Sequence, residues 1–187
     1  MMKKSIILFW LATLLVGGSL RAQVISEALV ETPLVLTSLD TAGKTLKFLS
    51  QNAKIILNIS TGDFTLRVGV SKLRSSDPIL DTLLKKQKDQ NFVFIGKIEE
   101  DMAAFNDHMN DGKSYNLPGV MSIGGASIPC IAQYSAISLA EKSESKNFRM
   151  NFRVTIDAAT ITVKGLEGIF KKEVGIEISG GMINIRI

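Results

Sequence analysis

Between Phe148 and Asp157 an apolar residue falls at every second position, with Arg149, Asn151, Arg153, Thr155 and Asp157 standing between Phe148, Met150, Phe152, Val154 and Ile156. Successive side chains of a β-strand point to opposite faces, so this segment predicts a strand with one oily side and one wetted side. The pattern recurs. Ile55, Leu57 and Ile59 share a face within residues 53–60, and Phe64, Leu66, Val68 and Val70 share one within 64–73. Thr61, Gly62 and Asp63 supply the turn of a hairpin whose two apolar faces meet inside. Further strands are predicted at 46–50, 91–99, 116–123, 127–139 and 177–187, the last with Ile183, Ile185 and Ile187 on one side. Residues 23–36 show no firm period and read as a loose lead-in or a first edge strand. Gly124 with Gly125, and Asn110 to Gly112, mark turns; Gly180 and Gly181 mark a bulge or a close backbone approach. The charged run 141–146 reads as a solvated hairpin tip.

One segment changes period. Asp77 is placed to cap a helix that starts at Pro78, with Ile79, Leu80, Leu83 and Leu84 at helical spacing and Lys85, Lys86 and Lys88 toward its negative end. A short helix over about 78–88, set between strands, is expected to lie across an open end of the sheet and close it. The whole predicts an all-β fold, an antiparallel sheet around an apolar interior, with one domain over 23–187.

The first residues stand apart. Lys3 and Lys4 precede an apolar run from Ile6 to Val16 and a small-residue stretch ending near Ala22, which is the pattern of a secretory signal peptide over 1–22. The run is too short to cross a bilayer, for which about 20 apolar residues are needed, so no stable membrane insertion is expected once it is cleaved. The mature protein is expected in the periplasm or outside the cell. Removing Lys3, Lys4 and Arg21 from the 22 basic residues leaves 19 against 18 acidic ones, a net charge of +1. That balance gives no electrostatic reason to expect nucleic acid as partner.

Catalytic chemistry is thinly represented. His108 is the single histidine and Cys130 the single cysteine, which excludes a multi-histidine metal site and an internal disulfide. Cys130 beside Pro129 reads as a small hydrophobe of the wall, not as a nucleophile. The stretch Asp107 to Gly112 resembles a calcium loop, but Met109 occupies a required oxygen-ligand position and Pro118 stands in place of the closing glutamate. Glu99 and Glu100 are adjacent and point to opposite faces. The one tryptophan, Trp10, lies in the leader. No catalytic residue, metal or cofactor is expected, and the chain is not read as an enzyme.

Two stretches carry a family likeness. Leu80, Asp81, Thr82, Leu83, Leu84 and Lys85 resemble the Arg-Asp-x-His-Leu-Arg/Lys helix motif of the YceI-like family, lipocalin-like polyisoprenoid-binding periplasmic proteins. Met121 to Pro129 resembles that family's Leu-Thr-Ile-His-Gly-Val-Thr-Lys-Pro hairpin. Asp81, Leu84, Lys85, Ile123, Gly125 and Pro129 match, while Leu80, Leu83, Gly124 and Ile128 replace the motif's arginine, two histidines and lysine. The resemblance implies a lipocalin-like antiparallel β-barrel of about eight strands, a lumen that takes a long lipid tail, and a helix near one end. The departures imply a more apolar contact or a different ligand, and the likeness also allows two chains to pair as a homodimer.

Together these readings predict an exported protein that holds a long apolar chain, polyisoprenoid or fatty-acid-like, for transport, storage or sequestration. Ile55, Leu57, Ile59, Phe64, Leu66, Phe148, Met150, Phe152 and Val154 are the expected lumen wall. Half of any antiparallel sheet packs inward, however, and the same residues fit a filled barrel or sandwich acting through its outer surface as a structural or interaction module of the cell envelope.

Overall fold

The structure is a computed structural model that describes residues 27–39, 43–58, 61–98, 111–139, 145–161, 163 and 173–186. The expected leader with its expected cleavage near Ala22, Ile59, the Glu99–Glu100 pair, His108 and most of its loop, residues 141–144 of the charged tip, and Ile187 lie outside these residues.

Alternation of apolar and polar residues produces long strands: β1 (Glu27–Leu39), β2 (Thr45–Asn58), β3 (Asp63–Gly69), the two-residue β4 (Arg74–Ser75), β5 (Asn91–Lys97), β6 (Tyr115–Ile123), β7 (Ala126–Ser138), β8 (Ser145–Asp157) and β9 (Glu173–Arg186). Every neighbouring pair is antiparallel. The order runs β1-β9-β8-β7-β6-β5-β3-β2, and β2 pairs again with β1, so eight strands close into a barrel with β4 appended to β2. Closure removes the exposed sheet edges that an open sheet would leave.

Several expectations change in detail. Residues 46–50 and 53–60, predicted as separate strands, form the single β2, because residues 51 and 52 bulge out opposite Pro33. A proline has no N–H to give to the ladder, and an extra residue on the partner strand absorbs the break. The bulge switches the inward set from Phe48 and Ser50 to Ala53, Ile55 and Leu57, and the Ser50 hydroxyl accepts from the Asn52 N–H at 3.1 Å. The region without a firm period is β1, a full wall strand. Thr32 and Ser38 point inward there, while Leu39 points outward, so its alternation is blurred. Ser38 satisfies its hydroxyl by donating to the Glu173 carbonyl at 2.9 Å.

The strand predicted over 64–73 stops at Gly69 and continues as a 3-10 turn, Val70–Lys72. Helix α1 (Pro78–Lys86) follows, with the Asp77 carboxylate accepting from the Ile79 and Leu80 N–H groups at 2.8 and 3.2 Å. It packs on the 3-10 turn and β4 at the end of the barrel where β3 finishes, burying Leu84 and tucking Leu80 and Leu83 against the core. Ile79, expected on the same stripe, is 73% exposed because it falls on the solvent side of the first turn. Of the two readings of Gly180 and Gly181, a bulge or a close backbone approach, the ladder shows a bulge: Met150 faces Gly181 and Phe152 faces Ile178, so Ser179 and Gly180 stand together opposite Asn151, and Gly180 has φ +70°.

Candidate functional site

Eight of the nine expected wall residues, Ile55, Leu57, Phe64, Leu66, Phe148, Met150, Phe152 and Val154, point into the barrel and none is more than 4% exposed. They share one continuous core with Leu34, Leu36, Phe48, Phe92, Phe94 and others from every long strand. The ninth, Ile59, lies outside the described residues. Among the described side chains no buried polar atom lacks a hydrogen-bond partner, and the interior holds Thr32, Ser38 and Ser50 as its buried polar residues. An interior of this kind offers dispersion contacts and no charge recognition.

Its centre is occupied by three rings. Phe64 of β3 and Phe152 of β8 stack with centroids 5.3 Å apart and planes 18° off parallel. Phe94 of β5 meets both edge-on, at 6.1 Å from Phe64 and 5.2 Å from Phe152. In the closed ring β3 and β8 stand on opposite walls, four steps apart in either direction. Side chains from facing walls therefore touch across the axis, and at this level the barrel is filled by its own phenylalanines.

Sequence reasoning did not assign Phe94 to the site, nor the hollow in which it rests. Gly96 and Gly119 face each other across β5 and β6 on the inward side. A Cβ on Gly119 would lie 2.5 Å from Phe94 Cζ and 2.4 Å from the Ile95 carbonyl oxygen; one on Gly96 would lie 2.8 Å from Phe94 Cε1. Two missing side chains thus leave a niche in the wall that the ring of Phe94 covers. Tyr115 and Tyr134, partners in register with rings 5.8 Å apart, stand on the inward side of β6 and β7 at the end away from the helix. The signal for both was their inward parity with Leu117 and Ala132.

Three concavities lined by described residues open on the outer wall. One of about 410 Å³ runs over Thr37, Gly175 and Thr155 between Arg153 and Glu173. A second of about 250 Å³ lies among Gln133, Asn151 and Glu177 and reaches Phe152 from outside. A third of about 540 Å³ is lined by Lys54, Arg67, Lys72 and Lys88. Cys130 is half-buried on the inward side of β7, and that burial pushes its thiol pKa up, away from the thiolate a nucleophile needs. Among the described residues no three His, Cys, Asp or Glu side chains converge on a point, and no helix is long and apolar enough to cross a membrane.

At the level of sequence no protein-family profile matches the chain, and no curated protein does. Solved structures do. A polyisoprenoid binding domain from Saccharophagus degradans implicated in plant cell wall breakdown superposes with a TM-score of 0.61 at 8% identity, covering 87% of this chain and 99% of that one. BcnA of Burkholderia cenocepacia superposes with a TM-score of 0.52 at 12% identity, covering 80% and 95%. The chain has the YceI-like fold.

Within this YceI-like barrel the motif residues that match the family have structural work. Asp81 accepts from the Ser75 N–H at 3.2 Å and pairs with Lys85 at 2.6 Å, which pins α1 to β4. These contacts hold its carboxyl below the ordinary range, the Lys85 hydrogen bond first and the Ser75 N–H second. Gly124 and Gly125 take φ +56° and +91° in the two-residue turn joining β6 to β7, a backbone conformation suited to glycine. Ile123 is buried in the core and Pro129 sits exposed opposite Val120.

Proposed function

We propose that this protein binds one long apolar chain, isoprenoid or fatty-acid-like, inside its barrel, and that it does so after export, in the periplasm or outside the cell. The observation that carries the reading is the interior itself: a closed wall of eight strands whose described inward side chains are almost wholly apolar, in a fold shared along nearly the full length of a polyisoprenoid binding domain. Ile55, Leu57, Ile59, Phe64, Leu66, Phe148, Met150, Phe152 and Val154 would contact the chain by dispersion. An eight-stranded barrel has room either for its own side chains or for one slender ligand, so entry requires the Phe64, Phe94 and Phe152 rings to turn aside. Each buried methylene contributes roughly 0.8 kcal/mol and association costs on the order of 4 to 15 kcal/mol, which favours a long tail over a small metabolite. No catalytic role is proposed.

The ring cluster favours a second reading, a filled barrel of the cell envelope that works through its outer surface. Native mass spectrometry of protein purified from its own host, with uptake of a fluorescent polyprenyl probe, separates the two. A co-purifying lipid mass or saturable uptake supports the binding barrel; a ligand-free protein with no uptake overturns it. Phe152→Ala adds a second axis. As part of a plug it is expected to cost about 3 to 5 kcal/mol in urea unfolding, whereas as a movable wall residue it changes probe uptake at a smaller stability cost.

A further inference from the structure

The outer wall carries a basic groove that the interior does not explain. Lys54 and Arg67 are exposed and directly opposite one another across β2 and β3, an arrangement in which like charges repel. Lys72 on the 3-10 turn and Lys88 in the turn after α1 complete the rim, with Asn52, Ser71 and Asn91 between them. The described ion pairs are Lys85–Asp81 and Lys113–Asp111, so none of these four cations is joined to a described carboxylate. The supports are firm. Arg67 Nε donates to Asn91 Oδ1 at 3.3 Å, which fixes the guanidinium plane and leaves both terminal amino groups for a ligand. Gly69 pairs with Asn91, and the Val70 N–H donates to the Gln90 carbonyl at 2.9 Å, tying the segment that bears Lys72 to the one that bears Lys88. Gly69 itself contributes no side chain, which keeps the floor open between the Lys72 stem and the Asn91 amide.

We propose that this groove binds a small polyanion carrying adjacent phosphate groups, of the diphosphate class, with Arg67 gripping it as a fork and Lys54, Lys72 and Lys88 neutralising its charge. A planar guanidinium with free paired donors matches phosphate oxygens bidentately. Four cations exceed what one monophosphate or carboxylate neutralises, and a compact groove of about 540 Å³ suits a small ligand better than an extended polymer. The inference does not depend on what fills the barrel.

The test is calorimetric titration of the full chain with sodium pyrophosphate at low ionic strength, comparing wild type with Arg67→Gln, Lys54→Gln and, outside the groove, Lys97→Gln. Saturable binding that weakens about tenfold in Arg67→Gln, weakens in Lys54→Gln, and is unchanged in Lys97→Gln supports the site. Circular dichroism of these exposed-site variants checks that each is folded. No saturable binding by wild type, full binding by Arg67→Gln, or equal weakening in Lys97→Gln overturns it. Geranyl diphosphate separates the two sources of this chemistry: binding that is tighter than that of pyrophosphate and is weakened by Arg67→Gln assigns a lipid head group, and equal or weaker binding assigns the free anion.

Discussion

At the scale of single residues, the inward set is decided by parity, while the outward set mixes charged side chains with exposed apolar ones such as Leu49, Ile95 and Ile131. Parity is visible in the sequence, which is why eight of the nine wall residues could be named before their positions were known. What parity misses is the residue that contributes by having no side chain. Gly119 lies inside the strand predicted over 116–123 with nothing to mark it, yet it is the seat of the Phe94 ring. Gly119→Ala is expected to destabilise by about 1 to 3 kcal/mol, because the new methyl meets both a ring and a backbone carbonyl; urea unfolding measures it. Outside, the Lys54–Arg67 opposition could not be seen without the β2–β3 register. Lys54→Glu converts repulsion into attraction across the strands and is expected to stabilise the ligand-free protein by a few tenths of a kcal/mol, read as a higher melting temperature that salt diminishes.

At the scale of elements, the helix was the easiest to read and the first strand the hardest. Pro78 at the first helical position, an aspartate before it and lysines near the end are local signals, and local signals survive without tertiary knowledge. Asp77→Ala removes the acceptor for two helical N–H groups and is expected to cost about 1 kcal/mol, measured by thermal or urea unfolding. Asp81 gives the helix a pH dependence. Its folded pKa lies below the unfolded value of 3.8, so its stabilisation is complete above that value and is lost as the pH falls through the lower, folded one. The melting-temperature gap between wild type and Asp81→Asn is therefore expected to be steady at neutral pH and to narrow below about pH 4. The strands were harder because their breaks are not local. β2 reads as two pieces since its inward parity changes between Ser50 and Ala53, and the cause, Pro33, lies on another strand. β1 hides its period because polar Thr32 and Ser38 occupy inward positions.

At the scale of the whole molecule, the class of fold was legible and the state of its interior was not. Alternation says that an oily face exists; whether opposite faces stand apart or touch depends on the register of strands as distant as β3 and β8. Phe64 and Phe152 are ordinary alternating residues in the sequence and become neighbours only when eight strands have closed. Closure depends on β1, which is paired along its length with β2 and also with β9. Deleting residues 27–39 is expected to leave two unpaired edges and to replace a cooperative unfolding transition with aggregation, detected by light scattering.

The two sides of β1 are unequal. Toward β2 its register spans Glu27 to Leu39, whereas toward β9 it spans Val35 to Ser38 and goes no further among the described residues. The joint between β2 and β3 is as short, pairing Lys54 to Leu57 with Arg67 to Phe64, and a hoop gives way at its shortest clasps. Mechanical pulling or mild heat is expected to open the barrel at these two short joints first, so hydrogen exchange should be faster among their amides than along the β6–β7 and β8–β9 ladders, which should stay protected.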